Sequence, residues 1–401
     1  MSAMNCSGNC SSSLDLIQLE LDYFYTYGIY GIVILLVFCA IGTFGNVSVI
    51  WVYPTTYKKS TFTIFVLFLA GVDLFSSVLC IPLHIVDMRF RYTFMSAEFC
   101  KFIRFVTYSS SGASGMLLGV IAFERFRKIC RPLKWQMSRR VVIRVCVGVI
   151  ILALFICSPT LDFYGIAKTE VVGYPGIYGD ICGPVKSDYN TVFFGILLLI
   201  GTVVVIMATV FYILIIKVVC RQQHYMADRT SAASNRTTVT SEIRSSNLLE
   251  NGKEQLQLPT NNVQADKDSD NNYTTETTTS DNEPSFALDN QKSRSVSTVT
   301  RRKRKKANSM KRAIRSAFMF LVTSIVSYCG FLPVLIMSII RAINSSLYDD
   351  IESNTGSLMD LLTRAYFFNS IANPIVYCFM DEKFRNACKA KYKVIFCRCC
   401  K

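Results

Sequence analysis

"FFNSIANPIVYCFMDEKFR", residues Phe367–Arg385, places Asn373 and Pro374 inside an uncharged, mostly apolar run of 16 residues, 365–380. A proline within a helix removes a backbone hydrogen bond and costs about 3 kcal/mol. With two asparagines nearby, the segment needs polar partners that an apolar surround does not offer. Those partners have to come from other parts of the chain.

The composition says what the surround is. The 401 residues are 51% hydrophobic and 18% charged, with a mean hydropathy of +0.34, too apolar for a soluble protein of this length. The apolar residues gather in uncharged blocks at 28–52, 105–123, 145–161, 191–216 and 316–340. A sixth block, 62–86, carries only Asp73 and His84, and a seventh, 358–380, carries Asp360 and Arg364 near its start. About 20 apolar residues of helix cross a bilayer, so seven spans are expected in an all-α membrane fold. Residues 1–27 are polar and show no cleavable signal; the first span is expected to serve as the anchor.

Loop charge orients the spans. Residues 1–27 carry Asp15, Glu20 and Asp22 and no base, whereas 124–140 hold seven Lys/Arg against one Glu. The tail after Met380 holds seven Lys/Arg against two acids, and the loops after the fourth and sixth spans are acidic. The positive-inside rule puts the N-terminus outside and the C-terminus in the cytoplasm. The net charge of +15 is then mostly topology. "RRKRKK" (Arg301–Lys306) reads as a cytoplasmic flank of the sixth span and not as a nucleic-acid patch.

The expected organisation is an extracellular glycosylated segment 1–27, spans one to five in 28–220, a polar disordered loop 221–308, spans six and seven in 309–380, and a membrane-lying tail 381–401 with a short amphipathic helix. No internal repeat or inverted hydropathy symmetry supports a transporter built from duplicated halves. Of 16 cysteines, Cys6, Cys10, Cys100 and Cys182 lie outside, where disulfides persist. A bridge between Cys100 and Cys182 would tie the loop before span five over the bundle; pairing of Cys6 with Cys10 stays open. Asn5 and Asn9 head Asn-Cys-Ser acceptors for glycosylation. Cys388, Cys397, Cys399 and Cys400 lie among lysines without a nearby histidine, which favours palmitoylation over zinc.

Polar residues within spans are costly in lipid and point to function. Asn46, Asp73, Ser114, Asn369, Ser370 and Asn373 sit near the midpoints of four spans and are expected to converge on one hydrated cavity. There the Asp73 carboxylate needs a proton or a cation, and the groups freed by Pro374 find partners. A second cluster, "GVIAFERFRKICRP", puts Arg125 25 residues after Cys100, about 37 Å along a helix. Arg125 and Glu124 thus face the cytoplasm. Snorkelling accounts for Arg127, Lys128 and Arg131.

On these residues the chain resembles the rhodopsin-like (class A) G-protein-coupled receptors across every span. The matching residues are Gly45-Asn46, "LAGVD" ending at Asp73, Cys100, Glu124-Arg125-Phe126, Cys182, Tyr212, Pro333 in "SYCGFLP", Asn373-Pro374-Ile375-Val376-Tyr377 and Phe384-Arg385. The resemblance implies a seven-helix bundle with a short amphipathic eighth helix and a Cys100–Cys182 disulfide. It implies a sodium and water site at Asn46, Asp73, Ser114, Asn369 and Asn373, with sodium an allosteric ligand and no cofactor. It also implies a switch through Glu124, Arg125, Tyr212, Phe331, Pro333, Pro374 and Tyr377 that admits a heterotrimeric G protein. The departures mark a divergent branch. Span four has no tryptophan and span five no proline; Phe331 stands for the usual tryptophan, Ser327 for an aromatic and Phe126 for tyrosine. Ala313 stands where many members carry an acidic partner for the arginine.

Thr107 occupies the position, seven after Cys100, where amine receptors have aspartate. Arg104, Arg341 and Arg364, in the outer thirds of three spans, suit an anionic group such as a peptide carboxylate or sulfate, with snorkelling an equal alternative. His84, Asp87, Tyr108 and Tyr366 complete the candidate pocket, and the segment from Asp162 to Cys182 has the length of a peptide receptor's second outer loop. A plasma-membrane receptor for a neuropeptide or peptide hormone is the leading reading. A receptor for a non-peptide small or anionic ligand, a channel or transporter, and a non-signalling seven-helix binding protein stand beside it. With two histidines in all and no nucleophile–base pair, no enzyme is expected. The tail after Met380 has no Ser or Thr, so phosphorylation by receptor kinases and arrestin binding are expected at Thr274–Ser280 in the long loop, and the tail on membrane lipid.

Overall fold

The structure, a computed structural model, describes residues 13–171, 174–185, 192–222, 313–334, 336–337, 339–340, 347, 351 and 355–399. Asn5, Cys6, Asn9, Cys10, Arg341, Cys400 and loop residues 223–312 lie outside these, as do the side chains of Cys397 and Cys399. The chain divides into two units, Met1–Ile215 with Ala313–Lys401, and Ile216–Arg312. Of the second, only the end of a helix is described.

Among the described residues, six helices are long and apolar enough to cross a membrane: spans one to six at Leu16–Thr56, Thr61–Arg89, Ala97–Cys130, Arg139–Phe163, Val192–Gln222 and Ala313–Val334. Large apolar side chains point outward from them, with Phe44 63%, Phe155 76% and Leu199 63% exposed. In water such surface is a liability; in a bilayer it faces hydrocarbon. Serine caps open three spans: the Ser60, Ser96 and Ser138 hydroxyls accept from the backbone N–H of Thr63, Phe99 and Val141. The second span widens into a π-turn at Ser76–Cys80, just before Pro82, whose ring would otherwise meet the carbonyl four residues back.

Two expectations need correction. The polar leader does not stop short of the first span: Ser13–Tyr23 is helical and runs through a π-turn, Phe24–Gly28, into Ile29–Thr56. Leu16, Leu19, Tyr23 and Tyr27 recur at helical spacing and pack on Tyr92, Val171, Ile177 and Ile181, which stabilises the extra turns. The seventh span, expected as one helix over 358–380, is three pieces: Ser357–Leu362, a 3₁₀ turn Ala365–Phe367, and Phe368–Met380. It breaks at Thr363 and Arg364, where the arginine turns inward. An eighth helix, Glu382–Cys399, follows. Its Tyr392 hydroxyl lies 2.6 Å from Ser48 Oγ, and Lys391 Nζ sits 4.6 Å from the Trp51 ring centroid, docking it on the first span.

Strands β1 (Tyr164–Val171) and β2 (Tyr174–Pro184) form an antiparallel hairpin between spans four and five, with Ile166 opposite Cys182. The Cys100–Cys182 disulfide fixes it to the head of the third span. Spans one and seven meet through glycine: a Cβ on Gly45 would fall 2.6 Å from Pro374 Cγ. Only a residue without Cβ lets the ring in.

Candidate functional site

The polar residues of the spans form one connected chain at the middle of the bundle. Asp73 is 1% exposed; its carboxylate accepts from Ser114 Oγ at 3.3 Å and from the Asn373 amide. Asn369 Nδ2 donates to Ser114 Oγ at 2.8 Å, and Ser327 Oγ donates to Asn369 Oδ1. Spans two, three, six and seven are thereby joined. Ser327, read in the sequence only as a missing aromatic, supplies the link from span six.

Asn46 answers the question posed by Pro374. Proline has no N–H, so the carbonyl four residues earlier, that of Ser370, loses its helical donor. Asn46 Nδ2 donates to Ser370 O at 2.9 Å, and to Gly42 O at 2.9 Å. The sequence grouped Asn46 with Asp73 directly; its amide nitrogen serves the proline break instead. Asn46 Oδ1 and Asn373 Oδ1 are buried without a hydrogen-bond partner. Among the described residues no cluster of three His, Cys, Asp or Glu is arranged for a metal ion. The Asp73 carboxylate, the Ser114 hydroxyl and the orphan amide oxygen of Asn373 fit a hard monovalent cation such as sodium better than a divalent one.

Near the C-terminal end of the third span Arg125 is 1% exposed. Its Nε lies 2.8 Å from Glu124 Oε2, and its Nη1 donates to Ser316 Oγ at 3.0 Å. The guanidinium carbon sits 5.5 and 5.6 Å from the Phe62 and Phe320 ring centroids. Snorkelling does not describe a side chain so enclosed. Glu124 Oε1 accepts from Thr61 Oγ1 at 2.8 Å. With Ala313 in place of an acid, a neutral hydroxyl one turn on, Ser316, ties span three to span six. The Tyr212 hydroxyl lies 3.3 Å from Ser324 Oγ, while the buried Tyr377 hydroxyl has no hydrogen-bond partner. Pro333 lies in span six near its end, and the Phe331 ring stacks 6.4 Å from Tyr366. On the eighth helix Cys388 is half-buried, and burial pushes its thiol up to about 11. At neutral pH that thiol keeps its proton, so acylation there needs a base to remove it.

The outer cluster is an ion network, not a pair of cations reaching for headgroups. Arg104 Nη2 meets Asp87 Oδ1 at 3.2 Å and Oδ2 at 3.0 Å, and donates to Cys182 O at 2.9 Å. Arg364 Nη2 reaches the same Asp87 at 3.4 Å, and its Nη1 meets Asp360 Oδ1 at 3.0 Å. Asp360 also pairs with Arg91 at 2.8 Å and accepts from the Tyr23 hydroxyl at 3.0 Å. Below them His84 Nε2 lies 3.1 Å from Thr107 Oγ1 and 3.3 Å from the Tyr366 hydroxyl. The Tyr108 and Tyr164 hydroxyls are 2.7 Å apart. Of the partners not singled out from sequence, Asp360 was the most legible, four residues before Arg364 on one helix face. Tyr164 comes from a segment whose packing no local pattern reveals.

A family model described as 7 transmembrane receptor (rhodopsin family) matches residues 45–377. Chemerin-like receptor 1 of Sus scrofa is 32% identical over 139 residues, 34% of this chain and 38% of that protein. Trace amine-associated receptor 365 of Petromyzon marinus is 28% identical over 212 residues, 51% of this chain and 56% of that one. Tachykinin-like peptides receptor 99D of Drosophila melanogaster is 27% identical over 177 residues, 40% and 32%. The matched stretches thus span about half or less of these relatives.

Proposed function

Because the chain belongs to the rhodopsin family of seven-transmembrane receptors, we propose that it is a plasma-membrane receptor with an extracellular N-terminus. It binds an extracellular peptide at the outer cluster and activates a heterotrimeric G protein at the cytoplasmic end. The observation that carries this reading is Arg125. A guanidinium buried at the cytoplasmic face, held to span six by one serine hydroxyl and the Phe320 ring, makes contacts that a modest shift of that span would release. A scaffold or binding protein would have no use for it.

Of the relatives named above, one carries tachykinin-like peptides in its name, one is named as a chemerin-like receptor, and one carries trace amines. An amine needs a carboxylate. Here Asp87 and Asp360 are both engaged by arginines, and Thr107 stands against His84. That supports a peptide over an amine. Sodium at Asp73, kinase and arrestin action at Thr274–Ser280, and a tail held to lipid through acylated cysteines complete the proposal.

The test is a peptide-library screen with a G-protein reporter, followed by Arg125→Ala. The variant is expected to keep surface binding of the labelled hit and lose the reporter signal. Full signalling by Arg125→Ala would overturn the assignment.

A further inference from the structure

The outer cluster also points to the chemistry of its ligand, an inference that rests on that cluster being the ligand site. Arg104 makes all three of its hydrogen bonds through a single nitrogen, Nη2. Its Nε is buried without a hydrogen-bond partner, and so is the Nε of Arg364. Asp87 serves both guanidiniums, and Asp360 reaches Nη1 of Arg364 as well. Each guanidinium carries five N–H donors in a planar fork suited to oxyanions. Two such forks meeting at Asp87, with a buried Nε donor left over on each, form an under-filled anion site.

The walls say what the anion is attached to. Arg104 lies 5.6 Å from the centroid of Tyr164, which is 5.9 Å from Tyr108 and 6.0 Å from Phe194. Tyr366 lies beneath, its hydroxyl on His84. An acid borne on an aromatic or aliphatic body meets both requirements. A cation would be repelled by the arginines.

We propose that the ligand presents a carboxylate to Arg104 and Arg364, in competition with Asp87, and that the aromatic walls hold the apolar group next to it. The C-terminal residue of a peptide and a lipid acid share this chemistry.

Competition gives the test an unusual sign. Detergent-purified full-length receptor is titrated with N-acetylphenylalanine, its amide, and decanoate, with thermal unfolding as the readout. An acid is expected to raise the melting temperature, and the amide is expected to do nothing. Asp87→Asn, which removes the competing acid, should lower the half-saturating concentration about tenfold, while Arg104→Gln should abolish the shift. A purely structural role for the pair would weaken both variants alike. Should Asp87→Asn fail to fold, Arg364→Gln must weaken the response of an otherwise native protein. Which acid binds distinguishes a peptide terminus from a lipid acid. Equal effects of acid and amide, a response retained in Arg104→Gln, or no response to either acid at millimolar concentration would overturn the proposal. Because binding alone is read, failure here is distinct from failure of G-protein activation in the Arg125 experiment.

Discussion

Asn46→Ala should destabilise the bundle in a way that depends on Pro374. The substitution removes two hydrogen bonds, to Ser370 O and Gly42 O, both at 2.9 Å. Gly42 O is a helical carbonyl with its own backbone donor four residues on, so little is lost there. Ser370 O is different: with proline at 374 it lacks the helical donor four residues on, and Asn46 is 0% exposed, so water does not replace the amide. A buried polar group left unpaired costs about 1–3 kcal/mol, and intramembrane hydrogen bonds reach about 1.7 kcal/mol at most in double-mutant cycles. A loss of about 1–2 kcal/mol is expected. Pro374→Ala restores an N–H to the helix and gives Ser370 O its partner back. In that background Asn46→Ala should cost a few tenths, a coupling of about 1 kcal/mol or more. Buried Cys80, Cys146 and Cys157 become reactive on unfolding, so a thiol-reactive dye reports the melting of all four proteins. Strictly additive shifts would refute the assignment of Asn46 to the proline break.

Gly45→Ala should cost about 1–3 kcal/mol, because its Cβ would meet a rigid proline ring at 2.6 Å; Gly71→Ala, with nothing within 4 Å, is the control. Equal melting temperatures for the two variants would count against close packing of spans one and seven. Replacing N-methylglucamine with sodium should raise the melting temperature of the native receptor and leave Asp73→Asn unmoved. A sodium shift of the same size in the variant would remove Asp73 from the cation site.

Hydropathy and loop charge made the spans legible, and residue type made the polar cluster legible, since Asp73, Asn369 and Asn373 have no cheap place in lipid except against one another. What escaped lies in partners distant along the chain. Ser370 and Asn46 are separated by 324 residues, and Arg364 and Asp87 by 277, so no local pattern announces either pair. The helix before Tyr27 was different. Its stripe of Leu16, Leu19, Tyr23 and Tyr27 was present, but net polarity masked it, and only the hairpin it packs on makes the turns worth forming. The break at Arg364 follows likewise from tertiary demand: an arginine engaged with Asp87 and Asp360 departs from the helical path that apolarity alone suggests.

The tie from Arg125 to Ser316 also sets a threshold. A hydrogen bond to a charged group contributes about 1.5–3 kcal/mol, which biases a two-state equilibrium by about one to two powers of ten. An aspartate or glutamate on span six would make such a bias sensitive to acidity, because protonation would cancel its charge. Neither a serine hydroxyl nor a guanidinium titrates in the physiological range. Acidification on that side of the bundle therefore leaves this restraint at full strength.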